Sequence, residues 1–301
     1  MKTFLEFFQQ ITEKQIQYGK NANYGQIVFF AGGAGSGKGF SISNFIDSSK
    51  FKIRDVDQLK VQMLKMKSLH QKYPELATMT LKNPDNVFKL HQIAKKEGIP
   101  DKQIMSWISG MKNPDTLPNI LFDITMKDLE DVEKYVPLLT QVGYKPENIH
   151  ITWVLTNYEV AVVRNKQRER VVPDDILLKT HAGAALTVSN ILKGGLPKSV
   201  NGSITVILNN LEDVKYYDKA VPVYNKTNKF SSSPVSSKLD KGGAPVFASV
   251  IRDFKYITLK KSGQPLPAYA ELDKEIKNTL YNWVKNNVPK NNLELKKAFE
   301  G

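Results

Sequence analysis

The stretch QIVFFAGGAGSGKGF, residues 26–40, constrains this chain more than any other. It opens with an apolar run, Ile27-Val28-Phe29-Phe30. It then passes through a loop holding Gly32, Gly33, Gly35 and Gly37, and closes on Lys38 before a helical pattern from Phe40 to Ile46. Strand, glycine loop and helix in that order, with Gly32-x4-Gly37-Lys38, is the spacing of a phosphate-binding loop. Backbone N–H groups must wrap a polyphosphate closely. Glycine removes the side chains that would hold them off and permits positive φ. The following helix offers unpaired N–H groups and the positive end of its dipole. Lys38 adds a point charge for the β- and γ-phosphates. Gly32, Gly33, Ala34, Gly35, Ser36, Gly37, Lys38, Gly39 and Phe40 are thus the expected nucleotide-binding residues. The alternative, a glycine-rich hairpin turn, gives no reason for a lysine in register. One position departs from the pattern: the residue after the lysine should be Ser or Thr, whose hydroxyl holds Mg²⁺, and here it is Gly39. A metal must then be held by an acidic residue, by water, or by Ser36 or Ser41.

Apolar strands alternate with helical patterns as far as residue 213. Strands are expected at 51–57, 119–123, 148–155 and 203–208 besides the first, with helices between them. This alternation predicts an α/β fold, a five-stranded parallel sheet covered by helices on both faces. A mostly helical insert at about 73–118 is expected within a domain of residues 1–214. Past residue 213 the alternation fails. Residues 215–301 are expected to form a basic extension, with a long loop at 225–245, a strand at 254–259 and an amphipathic helix at 269–284. Leu5, Phe8, Ile11 and Ile16 look like one face of a short packing helix.

Composition excludes several classes. The 301 residues contain no cysteine, so disulfides and thiolate metal sites are excluded. No run is long enough for a membrane span, and the N-terminal stretch is interrupted by Glu6, Gln9 and Gln10, unlike a signal peptide. A cytoplasmic location is the simplest expectation. The four histidines show no paired ligand spacing, and Asn225-Lys226-Thr227-Asn228 lacks the Asp that would read guanine. The formal net charge is +13, and residues 215–301 carry +8 of it, from 15 Lys and one Arg against eight acids. A basic tail suits an acidic partner such as nucleic acid, but a solvated lysine-rich surface is the simpler reading.

In a parallel sheet, ligands sit beyond the C-terminal strand ends. That rule selects Asp55 and Asp57, Asp123, and Asn209-Asn210. Asp57 can orient an acceptor hydroxyl and take its proton; because it opens a helix, it can alternatively be an N-cap. Asp123 stands where an acid holds Mg²⁺ through water, with Asp55 as a second metal candidate. The residue after Asp123 is Ile124 rather than the Glu of a hydrolytic motor, which argues against such a motor. Arg164, Arg168 and Arg170 are three of only five arginines and fall within seven residues. Arginine is planar, permanently charged and bidentate toward phosphate, so these three are candidate transition-state clamps. A second pattern, residues 93–107, has Ala94 and Gly98 at the spacing of a helix-turn-helix. Its second helix would expose Lys102, Gln103 and Ser106 to DNA, but a plain helical hairpin has the same spacing.

The segments FFAGGAGSGKGF, IRDVDQLK, NILFDIT and NYEVAVVRNKQRERVVPDDILLKTH together resemble the zeta-toxin and polynucleotide-kinase group of phosphate-loop kinases. The loop with Gly39 is similar to that of kinase-like proteins from tailed phages. The resemblance covers about residues 25–210. It implies a strand order 2-3-1-4-5, ATP and Mg²⁺ as cofactors, Lys38 and the loop on ATP, Asp57 as base, and Arg164, Arg168 and Arg170 in a lid. The function it implies is transfer of the ATP γ-phosphate to a hydroxyl of a nucleotide, nucleotide sugar, nucleic-acid 5′ end or protein. The rivals are a nucleic-acid-binding protein switched by ATP and a structural phage protein with a vestigial nucleotide site.

Overall fold

The structure, a computed structural model, describes residues 15–19, 23–109, 113–168, 171–210, 213–216, 221–222, 247–248 and 251–267, with isolated positions at 274, 277–278 and 281–282. The expected N-terminal helix face at Leu5, Phe8 and Ile11, the loop at 225–245 and most of the helix at 269–284 lie outside the described residues, as does Arg170.

Strand β1 (Ile27–Ala31) is buried along its whole length. β3 (Asn119–Ile124) flanks it on one side and β4 (Ile149–Leu155) on the other, both parallel, with Ile27 opposite Ile120 and Ile149. β2 (Phe51–Asp55) pairs outside β3, and β5 (Ile204–Leu208) outside β4, again parallel. The five parallel strands thus run in the order 2-3-1-4-5. The sheet does not stop at five. β9 (Ile251–Lys260) lies antiparallel against β5, and β6 (Val214–Tyr216) antiparallel against β9, giving seven strands in the order 2-3-1-4-5-9-6. The expected strand at 254–259 is thus longer than its pattern and joins the main sheet. A separate pairing joins β7 (Val221–Pro222) to β8 (Phe247–Ala248).

Side-chain alternation along β1 divides the core into two layers. Ile27, Phe29 and Ala31 face a layer completed by α5 (Ile99–Ile108), α6 (Glu130–Val142) and α8 (Asp174–Asn190), through residues such as Ile104, Val132 and Val188. Val28 and Phe30 face the other layer, with Ile42 and Phe45 of α1 (Lys38–Phe45) and Phe254 of β9. Helices therefore cover both faces, as parallel strands buried on both sides require.

Between β2 and β3 the chain forms α2 (Val56–Met63), α3 (Lys67–Lys72), α4 (Pro84–Lys96) and α5. Met63, Leu69, Leu76, Leu90, Ile93 and Ala94 make a small core of their own there. Asn83 caps α4 by accepting from the Asp85 N–H at 2.9 Å, and Pro84 occupies the first turn where its missing N–H costs nothing. The repeated tetrad at 82–85 and 112–115 repeats this local device: Asn113 accepts from the Asp115 N–H at 2.9 Å. Gly98, at φ 60, turns the chain from α4 into α5. Among the described residues no helix is long and apolar enough to cross a membrane.

Candidate functional site

A cleft of about 760 Å³ opens at the C-terminal ends of β1, β2 and β3. Its floor is the loop from Gly33 to Gly37 and the first residues of α1. The loop's shape depends on three glycines whose space is already taken. A Cβ on Gly33 would meet the His181 ring at 2.4 Å, one on Gly35 the Ala161 carbonyl oxygen at 2.5 Å, and one on Gly37 the Asn209 amide at 2.2 Å. Gly35 and Gly37 also hold φ of 74° and 86°, which side chains rarely adopt.

Neutral side chains from the far end of the sheet hold the loop. The Ser36 carbonyl accepts from Thr156 Oγ1 at 2.7 Å and from Asn209 Nδ2 at 2.8 Å. From α8, Thr180 Oγ1 accepts the Ala34 N–H at 3.3 Å, and His181 Nε2 donates to the Ala34 carbonyl at 2.7 Å. That bond places the proton of His181 on Nε2. Burial holds this imidazole's pKa down to about 4, with Lys38 adding to the effect and the Ala34 bond opposing it. His181 is thus a neutral loop support, and the absence of metal-ligand spacing gave no hint of that role. Thr156 follows β4, so the strand-end rule, extended to that strand, points to it.

Lys38 Nζ donates to the Gly32 carbonyl at 2.9 Å and lies 3.6 Å from Asp123 Oδ1. Burial pushes the Asp123 carboxyl above its usual range; Lys38 opposes this, and the nearby charges of Asp55 and Asp57 reinforce it. The N-cap of α2 is Asp55, whose Oδ1 accepts from the N–H groups of Asp57 at 2.8 Å and Gln58 at 3.4 Å. Asp57 is therefore not the cap. Its carboxylate pairs with Lys60 Nζ at 3.1 Å on the cleft wall.

Arg164 and Arg168 both line the cleft. Arg164, on α7 (Tyr158–Lys166), donates from Nη1 to the Asn209 carbonyl at 2.8 Å. Arg168 follows the end of α7 and is exposed. Asn165, fully buried in α7, donates to the Val172 carbonyl at 2.7 Å and accepts the Val172 N–H at 3.0 Å, tying α7 to the residues just before α8.

The opposite wall is ionic. Arg54, buried, donates to Tyr135 Oη at 3.0 Å, and its guanidinium lies over the Tyr135 ring at 4.8 Å. Asp101, at the start of α5, accepts from Lys134 at 2.8 Å and from Tyr135 at 2.5 Å. His91, Lys95 and Gly98 complete this wall, so the α4–α5 hairpin turns its junction toward the cleft. Burial, with Lys60 and Lys95, lowers the His91 pKa.

The zeta toxin family model matches residues 9–221. The chain belongs to the zeta toxin family. This is a family of phosphate-loop kinases, and the match spans every element that builds the cleft. Among solved structures, the chain is similar to one from the PezAT chromosomal toxin-antitoxin system of the human pathogen Streptococcus pneumoniae, at 14% identity and a TM-score of 0.41, covering 68% of this chain and 74% of that one. It is also similar to a chain of the AvrRxo1-ORF1:AvrRxo1-ORF2 complex with sulphate ions, and to one of the same complex with ATP. Each shows 14% identity and a TM-score of 0.36, covering 97% of this chain and 78% of the other. No curated protein matches the chain.

Proposed function

We propose that this chain transfers the γ-phosphate of ATP to a hydroxyl of a small or macromolecular acceptor. The observation that carries the proposal is the convergence of the phosphate loop, Asp57, Asp123, Arg164 and Arg168 on one cleft. In this scheme the loop N–H groups and Lys38 hold the triphosphate. Asp57 takes the proton of the acceptor hydroxyl, whose oxygen bonds to the γ-phosphorus as the bond to the β–γ bridging oxygen breaks. Arg164 and Arg168, with Arg170 as a third candidate, meet the charge that spreads over the equatorial oxygens. Mg²⁺ suits Asp123, a buried carboxylate beside Lys38; when bound it would neutralise phosphate charge. Asp55 is a weaker candidate for that ion, since one oxygen already caps α2. Among the described residues no group of three or more His, Cys, Asp or Glu could hold a metal without the nucleotide.

The α4–α5 hairpin is assigned to the acceptor wall rather than to DNA, because Asp101 at the head of α5 is tied to Lys134 and Tyr135 and Pro100 lines the cleft. The decisive experiment is label transfer from γ-labelled ATP to pooled nucleosides, nucleotides, nucleotide sugars, 5′-hydroxyl oligonucleotides and cell extract. A labelled product that disappears in Lys38→Ala and in Arg168→Ala is expected. ATP binding without transfer to any pool would sink the kinase proposal for these acceptors. Salt-dependent nucleic-acid binding that survives Lys38→Ala would favour the nucleotide-switched binder.

A further inference from the structure

Gly39 stands where the loop pattern calls for a hydroxyl, and packing does not demand it. A Cβ built there would meet nothing within 4 Å, whereas at Gly33, Gly35 and Gly37 it would collide at 2.6 Å or less. Gly39 is the second residue of α1, outside the positive-φ positions, and exposed at the cleft. Serine or threonine would therefore fit, and glycine weakens the helix it occupies. The loop's other hydroxyls are buried, whereas position 39 is exposed at the cleft. Ser41 is wholly buried in α1, and Ser36 is buried with its Oγ 2.6 Å from where a Gly32 Cβ would lie. Of the nearby carboxylates, Asp55 caps α2, and Asp123, which suits a cation carried in with the nucleotide, sits against Lys38.

Resting on the nucleotide assignment above, we infer that this chain binds the triphosphate without needing a divalent cation. The phosphate charge is met by Lys38, the loop N–H groups, the start of α1 and the arginines of the cleft. Gly39 removes the side-chain oxygen that would couple nucleotide affinity to the metal. A cation carried in with the nucleotide would still be free to act on the transfer step.

The test is ATP binding to the full chain by calorimetry, in Mg²⁺ and in EDTA, for the wild type, Gly39→Ala, Gly39→Ser and Lys38→Ala. The wild type and Gly39→Ala should differ by less than about threefold between the two media, while Gly39→Ser should tighten about tenfold in Mg²⁺ only. Gly39→Ala separates the hydroxyl from the gain in helix propensity. Tenfold tightening of the wild type by Mg²⁺ would overturn the inference and leave the nucleotide assignment standing. So would a Gly39→Ser protein that behaves like Gly39→Ala. Absence of binding in both media, for wild type and Lys38→Ala alike, would remove the nucleotide assignment and the inference with it.

Discussion

The two walls of the cleft are built from different materials. On the nucleotide side, backbone groups of the loop are held by neutral, buried side chains: Thr156, Asn209, Thr180 and His181. On the opposite side, long charged side chains meet one another: Asp57 with Lys60, Asp101 with Lys134, and Arg54 with Tyr135 and Asp131. Neutral hydrogen bonds in a dry interior fix a backbone shape rigidly, because any unmade bond leaves a buried polar group bare. The ion pairs fix less, since in each the carboxylate is about half exposed and screened by solvent, even where the cation, Arg54 or Lys60, is buried. One wall is thus suited to a ligand of constant shape such as a triphosphate, and the other can be retuned residue by residue for a different acceptor.

The largest expected effect breaks the chemistry shared by both walls. Arg168→Ala should lower phosphoryl transfer by about 10³-fold or more while leaving melting temperature unchanged, because Arg168 is exposed. Lys38→Ala should cost about 10²–10³ in transfer rate and should also weaken ATP binding. Both are read from initial rates and calorimetry. An Arg168→Ala enzyme with near-normal rate would remove the arginine from the transfer step.

Glycine substitutions sharpen the contrast. Gly35→Ala places a Cβ 2.5 Å from the Ala161 carbonyl at a φ of 74°. Backbone cannot yield as a flexible side chain can, so the loop must deform, and a loss of at least about 2 kcal/mol of stability together with ATP binding is expected. Gly98→Ala, on the acceptor side, meets nothing within 4 Å at a φ of 60°. Only the conformational strain remains there, about 1 kcal/mol. Equal losses in urea denaturation would erase the distinction between the two walls.

What could be read in the sequence follows the same division. The loop, its strand and its helix were legible because glycine spacing and apolar periodicity are local signals. So was the order of the five parallel strands, given the resemblance. Of the two antiparallel strands, β9 was legible as a strand but not as a partner of β5, from which more than 40 residues separate it, and the three-residue β6 was not legible at all. Among the site residues, Asp55 takes the N-cap that was the alternative reading for Asp57, since the helix begins at Val56. Thr180 and His181 carry no spacing of their own; only the fold brings α8 under the loop.

Single hydrogen bonds should follow the same rule. Asn209→Ala leaves the Ser36 carbonyl with Thr156 alone and should cost about 1–2 kcal/mol. Lys134→Ala breaks an ion pair whose partners are both about half exposed and should cost no more than about 1 kcal/mol. Thermal denaturation of both variants at low and high salt would check this, with salt sensitivity expected only at Lys134.

The finest distinction is in the response to pH. His181 and His150 belong to the nucleotide half of the sheet, and both are buried. Burial holds His181 down to about 4 and His150 down to about 3, from an ordinary value of 6.5. His150 is fixed as the neutral form by accepting from the Ser203 N–H at 2.8 Å and donating to Gln26 Oε1 at 2.9 Å. A histidine whose folded pKa is depressed takes up its proton in the unfolded chain first. Stability is therefore unaffected above pH 6.5 and falls as the pH drops below it, down to the folded pKa. The slope is about 1.4 kcal/mol per pH unit for each such group. Between pH 6 and pH 5 the wild type should lose stability more steeply than His181→Gln, by roughly the slope of one histidine. A His181→Gln protein with the full wild-type slope would show that the imidazole under the loop is already charged. The neutral clamp on Ala34 would then have to be replaced by a cationic one.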